Sequence, residues 1–294
     1  MAIDLPVQVG ARAAPRTSLN GDLAAQESNP YFREALGLLW PDGVPLMVRA
    51  QARVPKAAGL GSSAAFSAAL AVVLSAARGG VDRAELARRA FTIERNAQGV
   101  GSPGDTAAAV AGGYLSINGP GGEPLYEYSD GDRQWTARRV RDPSWAWVVA
   151  YSGVPRSTAD AVRAVGARLK AADGPGLLEE FAQVADAGIR AVESEDRAAV
   201  GALLDENHRL LSRVGVSHPR LEALLEAARP AIVGGKLTGA GVGGSIVVLP
   251  QPGRELDAAR RIARAGGLPF VVRTETTGAV LVAEPAPEAG PTDE

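Results

Sequence analysis

The chain has 294 residues, 46% hydrophobic and 22% charged, an ordinary globular composition sized for about two domains of ~100–200 residues each. Its 31 basic and 33 acidic side chains leave a net charge of −2, which gives no electrostatic footing for nucleic acid or an acidic membrane. With no cysteine and only His208 and His218, disulfides, thiolate metal sites and a cysteine nucleophile are excluded, and a His-rich zinc site or Ser-His-Asp triad is disfavoured. No apolar run reaches the ~18 residues of a membrane span and no signal peptide follows Met1, so a soluble, cytoplasmic protein is expected.

From Ile3 to Arg12 apolar and polar residues alternate, a half-buried strand in which Pro6 cannot donate to a ladder and so marks an edge or a bulge. Residues 13–29 read as loop, and Asn29-Pro30 opens a short helix through Leu39. A second alternating strand over 45–54 leads through a Gly/Ser-rich turn into an Ala/Leu/Val helix, Ser62–Arg78, stopped by Gly79-Gly80. The next helix, Asp82–Ala97, has Leu86, Ala90, Ile93 and Ala97 on one face and Glu94 at its margin, where a carboxylate is costly unless paired or metal-bound. Gln98–Thr106 reads as a turn-rich loop, followed by a strand over Tyr114–Ile117, a hairpin within 120–144 and an apolar strand over Trp145–Ser152. Four amphipathic helices follow at 158–172, 177–194, 196–213 and 218–229, the last capped by Ser217. Strands at 231–237, 245–250, 269–274 and 279–283 with one helix at 255–265 complete an α+β pattern, and the Pro- and acid-rich residues 284–294 read as disordered.

Pro55–Ala65, Pro-Lys-Ala-Ala-Gly-Leu-Gly-Ser-Ser-Ala-Ala, lies where a strand turns into a helix. A helix start presents N–H groups without intrahelical partners and the positive end of the macrodipole, and glycines let backbone approach an anion closely. The segment therefore reads as a phosphate cradle. The plainer alternative is two serines capping a buried helix. Gly59–Ala64 also spells G-x-G-x-x-A, with Asp82 a suitable distance on, which keeps a dinucleotide oxidoreductase as a rival. Gly239–Gly244 spells G-x-G-x-x-G but runs into a strand, where a dinucleotide fingerprint needs a helix. Asp105, after the Pro103-Gly104 turn, is either a helix cap or one member of a carboxylate pair with Glu94. In phosphoryl transfer one carboxylate of such a pair binds Mg²⁺ on the nucleotide and the other handles a hydroxyl proton. Cradle, carboxylate pair and second glycine loop together point to a kinase, although no G-x-x-x-x-G-K-[ST], H-R-D or D-F-G motif is present. Lys236 reads as solvated, the four tryptophans as packing groups, and neither histidine is given a role.

These residues resemble the GHMP kinase superfamily and, within it, the archaeal-type mevalonate kinases. Pro55–Ala65 is similar to the family's P-x-x-x-G-L-G-S-S-A-A loop, and Lys236–Gly244 to its K-L-T-G-A-G-G-G-G loop with Val242 in place of one glycine. Gly101–Gly113 resembles the stretch holding the family's catalytic aspartate, Val154–Thr158 its V-P-R-[NS]-T segment, and Asn207-His208 through Leu221 the stretch before the third motif. The resemblance implies an N-terminal ribosomal-protein-S5-like domain over 1–153, a ferredoxin-like C-terminal domain over 154–283, and a tail over 284–294. It implies ATP binding by Pro55, Ala58, Gly59, Leu60, Gly61, Ser62, Ser63 and Ala64, and Mg²⁺ held by Ser63 and Glu94. It also implies Asp105 as the catalytic residue, and substrate contacts from Asp105, Thr158, Gly239, Ala240 and Gly241. The implied reaction is phosphorylation of the mevalonate 5-hydroxyl; phosphomevalonate kinase, mevalonate 3-kinase, diphosphomevalonate decarboxylase and sugar kinase activities are the near rivals. A homodimer is left open. The family's first motif, P-G-K-V-x-L-x-G-E-H, is absent, and the likeness starts at Ala2-Ile3-Asp4-Leu5. The expectation drawn from this is a chain lacking its natural N-terminal hairpin, with a non-catalytic nucleotide-binding protein as the alternative.

Overall fold

A computed structural model describes residues 1–54, 58–155, 165–166, 168–170 and 173–282. In the first half β1 (Val7–Ala13), β2 (Ser18–Leu19) and β3 (Leu46–Ala52) form a sheet in the order β1-β3-β2. The edge position of β1 suits Pro6, which contributes only its carbonyl, accepting from Arg53 N–H at 3.2 Å. The strand begins at Val7 rather than Ile3, because Ile3 makes an isolated bridge with Thr274 instead.

After the short helix α1 (Ala25–Ser28), α2 (Pro30–Leu39) starts as its sequence requires, with the Asn29 side chain accepting from Phe32 N–H at 3.1 Å. Helix α3 (Ser62–Ala76) is buried along most of its length, and its Leu70, Ala71 and Leu74 share one core with Phe32, Ile93 and Val110. Helix α4 (Arg83–Gln98) is capped by Asp82 and ends at Gly99, whose φ of +74° is the left-handed geometry glycine supplies. A further helix, α5 (Gly104–Ala111), starts within the end of the stretch read as loop and takes in the residues after it, whose mostly small side chains carry no amphipathic signal. Strands β4 (Tyr114–Ile117), β5 (Pro124–Asp130) and β6 (Arg133–Val140) make a second sheet, ordered β4-β6-β5.

The remaining elements are β7 (Trp147–Tyr151), α6 (Gly174–Glu193), α7 (Arg197–Val214), α8 (Pro219–Ala228), β8 (Ile232–Thr238), β9 (Ser245–Pro250), α9 (Glu255–Arg264) and β10 (Leu268–Val272). The four strands form an antiparallel sheet in the order β10-β7-β9-β8. Strand β7, which precedes the boundary expected after residue 153, pairs on both sides within this sheet. One face, with Val148, Ala150 and Ile246, packs on Leu221 and Leu224 of α8 and Ile262 of α9. The other carries Trp147, Val149 and Leu249 and meets α7 together with Leu5, Leu60 and Tyr114 of the first half. This face is the seam of the molecule. Helix α7 lies close on β8 because a Cβ at Gly234 would collide with the backbone of Gly201.

Most of the helix expected over 158–172 lies outside the described residues. The strand expected over 279–283 is not formed across its described part: Gly278 has φ +72°, and Val280, Leu281 and Val282 are exposed with no neighbouring strand. Nor does Ser217 cap α8. His218 does, its Nδ1 accepting from Arg220 N–H at 3.1 Å, while the Ser217 hydroxyl donates to Glu222.

Candidate active site

Helix α3 begins at Gly61, in left-handed geometry (φ +71°), and no side chain caps it. Ser62 and Ser63 are therefore already helical residues, and the capping reading of the two serines fails. The first-turn amides of Ser62, Ser63 and Ala64 are left as a row of donors at the positive end of a 15-residue helix, an arrangement that suits an anion. Gly59, at φ +76°, turns the chain into this row. The Leu60 side chain packs into the seam with Trp147 and Val149 and anchors the loop, leaving its main-chain amide with the neighbouring ones.

Around that helix start the structure gathers the two expected carboxylates. Glu94 is buried on α4; its Oε1 accepts from Ser63 Oγ at 2.9 Å and from Gln98 Nε2 at 2.8 Å. Burial and, next, the charge of Asp105 raise its pKa from 4.5 to about 7, while the two hydrogen bonds act in the opposite direction. No cationic side chain pairs with Glu94 among the described residues. Asp105 stands exposed in the first turn of α5, with its carboxyl carbon 3.6 Å from where a Cβ of Gly61 would be. A side chain at position 61 would thus press on this carboxylate as well as strain the turn.

The second glycine loop abuts the first. Ser245 Oγ donates to the carbonyl of Ala58 at 2.6 Å, and Gly244 N–H donates to the carbonyl of Val154 at 2.9 Å. Gly241 (φ +80°) lies so close to Val216 that a Cβ would collide with its carbonyl oxygen, and Val242 N–H donates to that same oxygen at 2.6 Å. Val242 itself holds a left-handed φ of +58°, a conformation disfavoured for a β-branched residue. Gly241 and Val242 thus pack on Val216, whereas Ser63, Glu94, Gly61 and Asp105 form one tight group. Pro55 and Thr158 lie outside the described residues.

Three site features escaped the sequence reading. Gln98 is the residue four on from Glu94 along the helix, a spacing that could have flagged it. Ser245 meets Ala58 across 187 positions, which no local pattern encodes. Lys236, read as solvated, is half-buried on β8: desolvation lowers its pKa from 10.5 to about 8, and it makes no hydrogen bond or ion pair among the described residues. His208 is buried. Its Nδ1 accepts from Leu237 N–H at 3.2 Å, which leaves Nε2 to donate to Glu222 at 3.1 Å and ties α7 to β8 and α8. Trp135, Trp145 and Trp147 pack as expected, against Phe91, Arg197 and the seam respectively.

Family models for the GHMP kinases N terminal domain and the GHMP kinases C terminal domain match residues 24–113 and 189–267. The chain belongs to the GHMP kinase family, with its two-domain fold of mixed helices and sheets. Mevalonate kinase of Pyrococcus horikoshii is 32% identical over 268 residues, spanning 86% of this chain and 75% of that protein. Among solved structures, L. major mevalonate kinase in complex with R-mevalonate has a TM-score of 0.74 at 19% identity, over 94% of this chain and 87% of that one. Lactococcus lactis galactokinase complexed with galactose has a TM-score of 0.69 at 18% identity, over 95% and 88%, so the fold alone does not select the acceptor. No helix among the described residues is long and apolar enough to cross a membrane.

Proposed function

We propose that this chain is an ATP-dependent mevalonate kinase, transferring the γ-phosphoryl group of ATP to the mevalonate 5-hydroxyl and so feeding isoprenoid biosynthesis. The observation that carries the reading is the grouping of an uncapped helix start, a buried serine–carboxyl pair and an exposed aspartate within one cleft wall. The likeness to archaeal mevalonate kinases over most of the chain selects the acceptor.

In this mechanism the amides of Gly59–Ala64 hold the triphosphate, and the macrodipole of α3 offsets its charge. Asp105 accepts the proton of the 5-hydroxyl, the O5–Pγ bond forms as the bond from Pγ to the β–γ bridging oxygen breaks, and ADP leaves. Ser63 and Glu94 fit a Mg²⁺ site, because a buried carboxylate without a cationic partner gains most from a bound cation. When bound, the ion supplies neutralisation of phosphate charge. Pro55 belongs to the same nucleotide loop, and Thr158, Gly239, Ala240 and Gly241 to the acceptor side. Nucleotide contacts fall to the part before Trp147 and the four-stranded sheet to the rest. With ATP as donor the reaction belongs to the cytoplasm, and every group named comes from one chain.

Coupled ADP release over mevalonate, phosphomevalonate, galactose and homoserine tests the reading, with turnover expected for mevalonate. Asp105→Asn is expected to lose ~10²–10⁴-fold in turnover, the usual worth of a positioned base, while ATP still raises the melting temperature. Turnover of another acceptor in place of mevalonate, or an Asp105→Asn variant as active as the wild type, would refute it.

A further inference from the structure

Gln98, the last residue of α4, takes no part in the transfer steps above. Its side-chain amide donates to Glu94 Oε1 at 2.8 Å and to Ser63 Oγ at 3.4 Å, so one group reaches both residues that fit the cation site. Charge dictates which way this amide faces, because the opposite orientation would set its carbonyl oxygen against the Glu94 carboxylate.

Each oxygen of a carboxylate offers two lone-pair directions. On Glu94 Oε1 both are taken, one by the Ser63 hydroxyl at 2.9 Å and one by Gln98, whereas Oε2 accepts no hydrogen bond among the described residues. Ser63 gives its only hydroxyl proton to Oε1 and turns lone pairs alone toward its other neighbours. Oε2 and Ser63 Oγ are therefore the acceptors left over for an ion. A glutamate side chain otherwise rotates about three bonds, and ordering it only when the ion arrives would weaken binding. An amide orients the carboxylate without neutralising it; a lysine or arginine in its place would compete with the cation. Gln98 is itself held by the helix end. Gly99 follows it at φ +74°, and Arg95 pairs with Asp130 of β5 at 2.7 Å while donating to the Gly99 carbonyl.

We propose that Gln98 is a positioning residue for the divalent cation, locking Glu94 through Oε1 and Ser63 through Oγ so that Oε2 and the serine oxygen meet the ion bound with the nucleotide. The inference rests on the assignment of Ser63 and Glu94 to Mg²⁺ above. Outer partners of this kind are worth ~10–100-fold in metal affinity.

The test measures calorimetric binding of AMPPNP, an ATP analogue, in excess Mg²⁺ and in EDTA, for the wild type, Gln98→Met and Glu94→Gln. The ratio of the two affinities is the coupling between ion and nucleotide. Methionine keeps the length of Gln98 and removes its donors. Gln98→Met is expected to reduce the ratio by about 10-fold or more while leaving the affinity in EDTA within about threefold. The Mg²⁺ concentration giving half-maximal turnover should rise by about 10-fold or more, with kcat recovering as Mg²⁺ is raised and KM for mevalonate within about threefold. A merely structural role would lower the affinities in EDTA and in Mg²⁺ alike; that outcome, or an unchanged ratio, would overturn the assignment. A wild type that binds AMPPNP equally with and without Mg²⁺, or a Glu94→Gln variant that keeps the wild-type ratio, would instead overturn the Mg²⁺ assignment on which it rests.

Discussion

Replacing Lys236 by methionine should stabilise the ligand-free protein, and the size of the effect follows from the burial. Moving a lysine pKa from 10.5 to about 8 corresponds to about 3 kcal/mol of penalty on the charged form. Between pH 8 and 10.5 the unfolded chain binds more protons at this position than the native one, so the native state gains stability as pH rises through that window. At pH 7 the penalty is present in full. Methionine fills a similar volume with no charge to desolvate, so Lys236→Met should be more stable than the wild type by about 3 kcal/mol at pH 7, roughly 6 °C in Tm. The margin should shrink steadily to pH 10.5, and the wild-type-minus-variant difference removes every other group titrating there. Urea unfolding at a series of pH values measures it. A margin that does not change with pH, or a variant less stable than the wild type, would refute the reasoning.

Glu94→Gln should cut ADP release by about 100-fold or more at saturating ATP, since an amide is a poor replacement for an anionic oxygen ligand. The same variant should melt above the wild type in metal-free buffer at pH 8. The native pKa of Glu94, raised from 4.5 to about 7, leaves its burden absent below pH 4.5 and full above pH 7, so calorimetry at pH 4.5 should find the advantage gone. Gly241→Ala should destabilise by about 2 kcal/mol or more, because it combines a left-handed φ with a collision against the Val216 carbonyl. Gly10→Ala, on the edge strand with open space around it, should stay within about 0.5 kcal/mol under the same chemical denaturation.

Elements with strong periodicity were legible in the sequence: β3, α3, α4, α7 and β9 fall within a few residues of the positions their patterns gave. Helix α5 escaped because Gly104–Ala111 is small throughout, and no contrast between faces marks it. The run before residue 283 reads as strand from its apolar side chains, but strand formation needs a neighbour to pair with, and none lies beside Val280–Val282. The carboxylate pair was visible from residue type and turn context. The half-burial of Lys236 was not, because the residues around it, from Tyr114 to Asn207, are far away in the sequence. Leu60 shows the same limit from within the motif: its neighbours turn toward the anion site, while its own side chain is claimed by a sheet nearly ninety residues on.

The Ser245–Ala58 hydrogen bond fastens the loop before α3, the proposed phosphate cradle, to a strand of the other half. If the halves swing apart to admit or discharge ligands, this fastening must either snap or carry the loop with it. Phosphate grip and cleft width then behave as a single mechanical variable, and by reciprocity whatever tightens one must tighten the other to the same degree.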